Sequence, residues 1–213
     1  MLDAVPATEG GTAVKEKLNM KKNKTLKLAQ LALLVAIVLV MAYTPLGYLR
    51  TLGLEISFLM IPVTIGAIVL GPVEGAILGL VFGLTSFATC FGSSTFGATL
   101  LAINPMFTFI TCVVARVLAG YLAGIVFKVV KKLKYSYEIA CLAGPLLNTL
   151  FFMGCLVLFF YNTEFIQNLA STLGTANPFA FIVAFVGLQG LVEAVACFVI
   201  ATVISRNVHK FVK

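Results

Sequence analysis

Beyond about residue 26 the chain is a succession of long apolar runs separated by short polar or Gly/Pro breaks. Before that point, residues 1–27 are polar and lysine-rich and show no periodicity that would build a core. The runs read as six helical segments, at about Leu26–Pro45, Ile56–Leu70, Val73–Thr89, Pro105–Val130, Glu138–Tyr161 and Pro178–Ser205. Gly71-Pro72 ends the second segment and opens the third almost at once, so these two form a tight helical hairpin. Pro105 and Pro178 suit first helical turns. The charge-free stretch 90–104 and the polar stretch 162–177 read as loops. The pattern divides the chain into a polar basic tail (1–25), a helical domain (26–208) and a short end (209–213).

Composition turns these helices into membrane spans. Of 213 residues, 61% are hydrophobic and 11% charged, and the mean hydropathy is +1.08. Soluble domains are roughly half apolar and about a quarter charged. A β-barrel would alternate apolar and polar positions, which long unbroken runs do not. The expected fold is therefore an all-α integral membrane protein with six transmembrane helices. The first run exceeds 20 residues and lacks a small-residue cleavage site, so no cleavable signal peptide is expected. Met20, followed by Lys21-Lys22-Asn23-Lys24, reads as an alternative start that would make residues 1–19 dispensable.

The net charge of +7 invites a nucleic-acid reading, but its placement argues for membrane topology. Lys15, Lys17, Lys21, Lys22, Lys24 and Lys27 precede the first span. Lys128, Lys131, Lys132 and Lys134 lie between the fourth and fifth, and Arg206, Lys210 and Lys213 follow the sixth. With six spans all of these fall on one side, and the opposite loops carry only Arg50. Positive charge stays inside, so both termini are expected in the cytoplasm of a plasma-membrane protein.

Small residues recur at helical spacing. Gly75, Gly79 and Gly83 on the third span, with Ala119/Ala123 and Gly120/Gly124 on the fourth, suit close packing of one helix on another. Ala29, Ala32 and Ala36 form a stripe on the first span that fits either internal packing or a partner helix.

Candidate chemistry is sparse. Cys90, Cys112, Cys141, Cys155 and Cys197 are scattered without a CxxC pair, and the single histidine, His209, lies at the far end. They read as small buried apolar residues, and neither a metal site nor a cofactor is expected. The chain has no GxxxxGK[ST] phosphate loop and no carboxylate pair within a span, so catalysis is not expected. Two charged residues lie deep in spans: Arg116 in the fourth and Glu193 in the sixth. Arg116 stands about 16 Å and Glu193 about 22 Å from the starts of their spans at 1.5 Å per residue. Intramembrane charges face the bundle interior and either pair or serve function. Both readings stand here: a packing ion pair, or a guanidinium waiting for an anionic ligand. Gln189, one turn before Glu193, and Asn148 at similar depth would line the same space, with Asn104 and Phe107 near its mouth. Phe91, Phe96 and Phe107, with Ser93-Ser94-Thr95, would lie over it as a lid.

The second and third spans carry a longer signature: Ile61-Pro62-Val63, Gly66, Leu70-Gly71-Pro72, Gly75, Gly79 and Gly83. This segment resembles the substrate-binding S components of energy-coupling factor (ECF) vitamin transporters, and the likeness extends over about residues 26–208. The resemblance implies a six-helix bundle with cytoplasmic ends that captures a micronutrient from outside. It also implies docking on a transmembrane coupling subunit driven by two ATPase subunits, with Ala29, Ala32 and Ala36 at that interface. Energy then comes from partners, and the bound molecule crosses as the bundle topples in the bilayer. Gly83-Leu84-Thr85-Ser86-Phe87 and an arginine in the fourth span are most similar to the pantothenate-type branch. The absence of tryptophan departs from a stacking clamp for aromatic vitamins. The rivals are an autonomous secondary transporter, which needs coupling-ion carboxylates near the midplane, and a structural membrane protein without a ligand.

Overall fold

The computed structural model describes residues 9–44, 47–51, 54–175 and 177–212. Its elements are α1 (Glu9–Ala42), β1 (Tyr48–Thr51), β2 (Leu54–Ser57), α2 (Met60–Val69), α3 (Pro72–Thr89), α4 (Thr95–Ile103) and α5 (Pro105–Phe109). A π-helical turn (Ile110–Val114) joins α5 to α6 (Ala115–Val130), followed by α7 (Ser136–Phe160), α8 (Glu164–Thr172) and α9 (Pro178–Val212). Among the described residues, Lys24–Ala42, Pro72–Thr89, Pro105–Val130 and Ser136–Phe160 are long and apolar enough to cross a membrane. The expected end of the first span at Pro45 lies outside the described residues.

The chain departs from an all-helical reading between the first two runs. Strands β1 and β2 pair antiparallel in the register Tyr48↔Ser57, Leu49↔Ile56, Arg50↔Glu55, Thr51↔Leu54. Ile56 and Ser57, expected to open the second span, therefore belong to a strand. The helix that follows, α2, is left with 10 residues, about 15 Å at 1.5 Å per residue. It is apolar on all sides because it is surrounded by protein: Met60 through Ile68 are buried.

Two expected loops are helices. In α4 the Ser94 hydroxyl accepts a hydrogen bond from the Gly97 N–H at 3.1 Å. In α8 the Thr163 hydroxyl accepts from the Ile166 N–H. Both satisfy an orphan donor of a first turn, which is what a serine or threonine N-cap does. α8 is amphipathic and buries Ile166 and Ala170. Its polar face is what made the segment read as a loop. The sixth run is interrupted within α9 at Gly187, whose φ of 20° and ψ of −122° are not helical. Glycine tolerates that backbone geometry where a side chain would strain it.

α3 and α6 run antiparallel in close contact. A side-chain carbon at Gly75 would strike the Gly120 carbonyl, one at Gly79 the Arg116 carbonyl, and one at Gly83 the backbone of Val113. Gly124 in turn meets Pro72 at the start of α3. The small-residue spacing in the two helices thus brings backbone against backbone, the source of packing between helices in lipid. Gly144 similarly admits Thr64 of α2 against α7.

The apolar interior forms two clusters. One gathers Val38, Met60, Val63, Leu78, Phe82, Cys141 and Cys197 around α2. The other gathers Leu100, Leu156, Phe160, Ile166, Phe181 and Phe185 where α4 and α8 cover the ends of α7 and α9. A cavity opens between them.

Candidate binding cavity

The cavity measures about 150 Å³, space on the order of ten waters. Phe82 from the first cluster and Leu100, Met153 and Phe185 from the second form its apolar walls. Its polar lining comes from Ser57 at the end of β2, Ser86 and Thr89 on α3, Ser94 before α4, Arg116 on α6, Asn148 and Thr149 on α7, and Glu193 on α9.

Arg116 dominates it. The residue is 8% exposed, and its Nη1 donates to the Thr111 carbonyl at 3.0 Å. The guanidinium carbon lies 5.1 Å from the Phe82 ring centre and 4.8 Å from that of Phe152. Two ring faces thus hold a planar cation, an arrangement that favours arginine over lysine. Thr111 lies in the π-helical turn. Such turns alter the helical backbone ladder and recur at functional sites. The Arg116 Nε has no hydrogen-bond partner.

Arg116 and Glu193 line the same cavity without forming a salt bridge; the ion pair among the described residues joins Lys27 to Glu74 at 2.5 Å. Glu193 Oε1 and Asn148 Oδ1 are shielded from solvent and unpartnered, as is Ser57 Oγ. The Ser57 backbone lies close to the Glu193 carboxylate.

Three of the six expected ligand residues, Arg116, Asn148 and Glu193, therefore face one space. Asn104 and Phe107 are not in its lining. The Asn104 Oδ1 caps α5, accepting from the N–H groups of Met106 at 3.1 Å and Phe107 at 3.2 Å. Phe107 stacks on Phe159, centre to centre 4.6 Å. The Gln189 side chain lies outside the described residues. Of the expected lid, Ser94 and Phe96 line the cavity, Phe96 packing on Phe165 and Phe185 at 5.7 Å, whereas Phe91 is 70% exposed and meets Phe87 edge-on. Ser57, Thr89, Phe82 and Phe152 did not stand out in the sequence, and Ser86 did so only within the Gly83–Phe87 segment. The available signal was spacing: Phe82, Ser86 and Thr89 share one face of α3, and Asn148 and Phe152 one face of α7.

Apolar helices around a cavity that contains an unpaired cation define a multi-pass membrane protein with a candidate small-molecule site. Residues 26–205 match the family described as "ECF transporter, substrate-specific component". The chain is also 31% identical over 156 residues to the pantothenic acid transporter PanT of Lactococcus lactis subsp. cremoris (strain MG1363), an alignment covering 68% of this chain and 79% of that protein. The chain belongs to the family of substrate-specific components of ECF transporters. It is a multi-pass protein of the plasma membrane and a transport component, not an enzyme.

Proposed function

We propose that this chain binds pantothenate at the outer side of the membrane and delivers it to the cytoplasm together with an ATPase-driven coupling module. The observation that carries the proposal is Arg116: a buried guanidinium, set over two aromatic rings, on a residue that lines the cavity. An arginine at mid-depth costs about 2.5–3.5 kcal/mol on insertion scales. A ligand carboxylate would offset that cost with a charge-assisted hydrogen bond. Pantothenate supplies the carboxylate, and its hydroxyl and amide groups suit Asn148, Glu193 and, one turn away, Gln189. Asn104 and Phe107 would act at a distance, Asn104 by capping the start of α5 and Phe107 by stacking on Phe159 of α7. The likeness to PanT supports the same ligand.

The topology proposed with it counts α1, α2, α3, α5 to α6, α7 and α9 as six passes. The short α2 would be completed by the hairpin before it, and the broken α9 would cross as two half-helices. The lysine distribution then sets both termini in the cytoplasm, with residues 1–25 and 209–213 as cytoplasmic ends of a membrane domain at 26–208. In this orientation the cavity, lined by the later turns of α3 and the first turns of α6, opens to the outer half. Ala29, Ala32 and Ala36 are exposed on α1, which suits a partner helix from the coupling subunit; two ATPase subunits complete the assembly.

The test is native mass spectrometry of the purified chain with added pantothenate, followed by titration calorimetry of Arg116→Gln. Retention of one vitamin by the wild type and at least tenfold weaker binding by the variant are expected. Equal affinity in a folded variant would exclude the carboxylate contact.

A further inference from the structure

We infer that Cys90 and Cys112 form an oxidation site: a peroxide joins them in a disulfide that latches segment 91–111, the stretch that brings α4 to the cavity wall. The inference concerns the thiols and the cover, and it holds whichever small molecule the cavity takes.

The two cysteines stand at opposite ends of that segment. Cys90 follows the last turn of α3, and Cys112 lies in the π-helical turn before α6. Between them run α4 and α5, and Ser94, Phe96, Gly97 and Leu100 of this stretch line the cavity. The α3 contact brings the two ends back together, because Gly83 lies against Val113 and the Cys112 carbonyl. The Cys112 thiol lies close to the Cys90 thiol and the Ser86 hydroxyl. Cys90 Sγ donates to the Ser86 carbonyl at 3.4 Å. A side-chain carbon at Gly97 would strike the Cys90 sulfur, so α4 is seated directly on one member of the pair. Both cysteines are free, and both residues line the cavity, which gives a small oxidant its approach. Cys141 and Cys197 are instead fully buried in the first apolar cluster, and Cys155 is not in the cavity lining. In the reaction, one thiolate takes an oxygen from hydrogen peroxide to become a sulfenic acid, and the remaining oxygen leaves as water. The second thiol displaces the new hydroxyl as another water, and the S–S bond forms. Two thiols and one peroxide give one disulfide and two waters. The bond closes segment 91–111 into a covalent loop and limits how far its ends can separate. In the orientation proposed above, the cavity opens to the outside, where disulfides persist.

The experiment treats the full chain in nanodiscs, first fully reduced, with hydrogen peroxide. Non-reducing digestion with mass spectrometry then identifies linked peptides, and hydrogen exchange follows the amides of α4 and α5. Expected are a peptide joining Cys90 to Cys112 and exchange slowed about fivefold or more across α4 and α5. A thiol reductant should reverse both. Cys90→Ser and Cys112→Ser, given the same peroxide, should show neither the link nor the slowing, whereas Cys155→Ser should show both. The wild-type comparison of oxidised with reduced protein stands without any variant. Absence of the linked peptide, linkage of either cysteine to another partner, or sulfinic acid in place of a link overturns the oxidation site. A Cys90–Cys112 link with unchanged exchange in α4 and α5 overturns the latch. No ligand enters either measurement, so these outcomes are separate from success or failure of the pantothenate assignment.

Discussion

Gly79 of α3 lies directly against the backbone carbonyl of Arg116 on α6, so the helix contact and the cavity's cation share one point of contact. A side chain at Gly79 must push that carbonyl away, and the guanidinium with it. Gly79→Val is expected to destabilise the protein by about 1–3 kcal/mol through overpacking and to weaken ligand binding as well. Gly154 on α7 has open space around its Cα, so Gly154→Ala should leave both unchanged or raise stability by up to about 1 kcal/mol. Thermal unfolding and calorimetry on the two variants give the comparison. Equal effects would mean that the α3–α6 contact does not position Arg116.

The two rings around Arg116 predict a difference between cations. Arg116→Lys keeps the charge but loses the planar group that fits between Phe82 and Phe152. Affinity should fall at least tenfold, about 1.4 kcal/mol, with the protein still eluting as a folded monodisperse species. Wild-type affinity in the lysine variant would reduce the site to a point charge.

Ala32 separates binding from delivery. It is exposed on α1 and remote from the cavity lining. Ala32→Trp should bind ligand as the wild type does and abolish ATP-dependent uptake in proteoliposomes containing the coupling module. Normal uptake would count against docking through the alanine stripe.

The ion pair between Lys27 and Glu74 ties α1 to α3. Lys27 is 47% exposed, so solvent screens the attraction and its contribution should stay below about 1 kcal/mol. Glu74→Gln is accordingly expected to shift thermal unfolding only slightly. A loss well above that value would make the pair a structural clamp.

The sequence located α3 and the α5–α6 segment within a residue and α7 within two. Long apolar runs bounded by Pro and Gly leave few alternatives once the solvent is lipid. Its polar outliers were equally informative, because a charge or amide inside a span is costly enough to need a reason. That is why Arg116, Asn148 and Glu193 stood out and why all three line one cavity. The helices α4 and α8 were harder to see. Their local signals, the capping hydroxyls of Ser94 and Thr163, are single residues within polar stretches.

What the sequence alone determined is the solvent of this protein, the approximate bounds of its longer apolar helices and the identity of its few polar groups within apolar runs. These follow from transfer free energies that depend on residue type and order. Only the tertiary structure decided that Arg116 and Glu193 share a cavity without pairing, that Phe82 and Phe152 clamp the guanidinium, and that Ser57 reaches Glu193 from a strand end. Those relations depend on how each helix is rotated and how deeply it sits. Backbone contacts such as Gly79 against Arg116 set that geometry, between residues far apart in the chain.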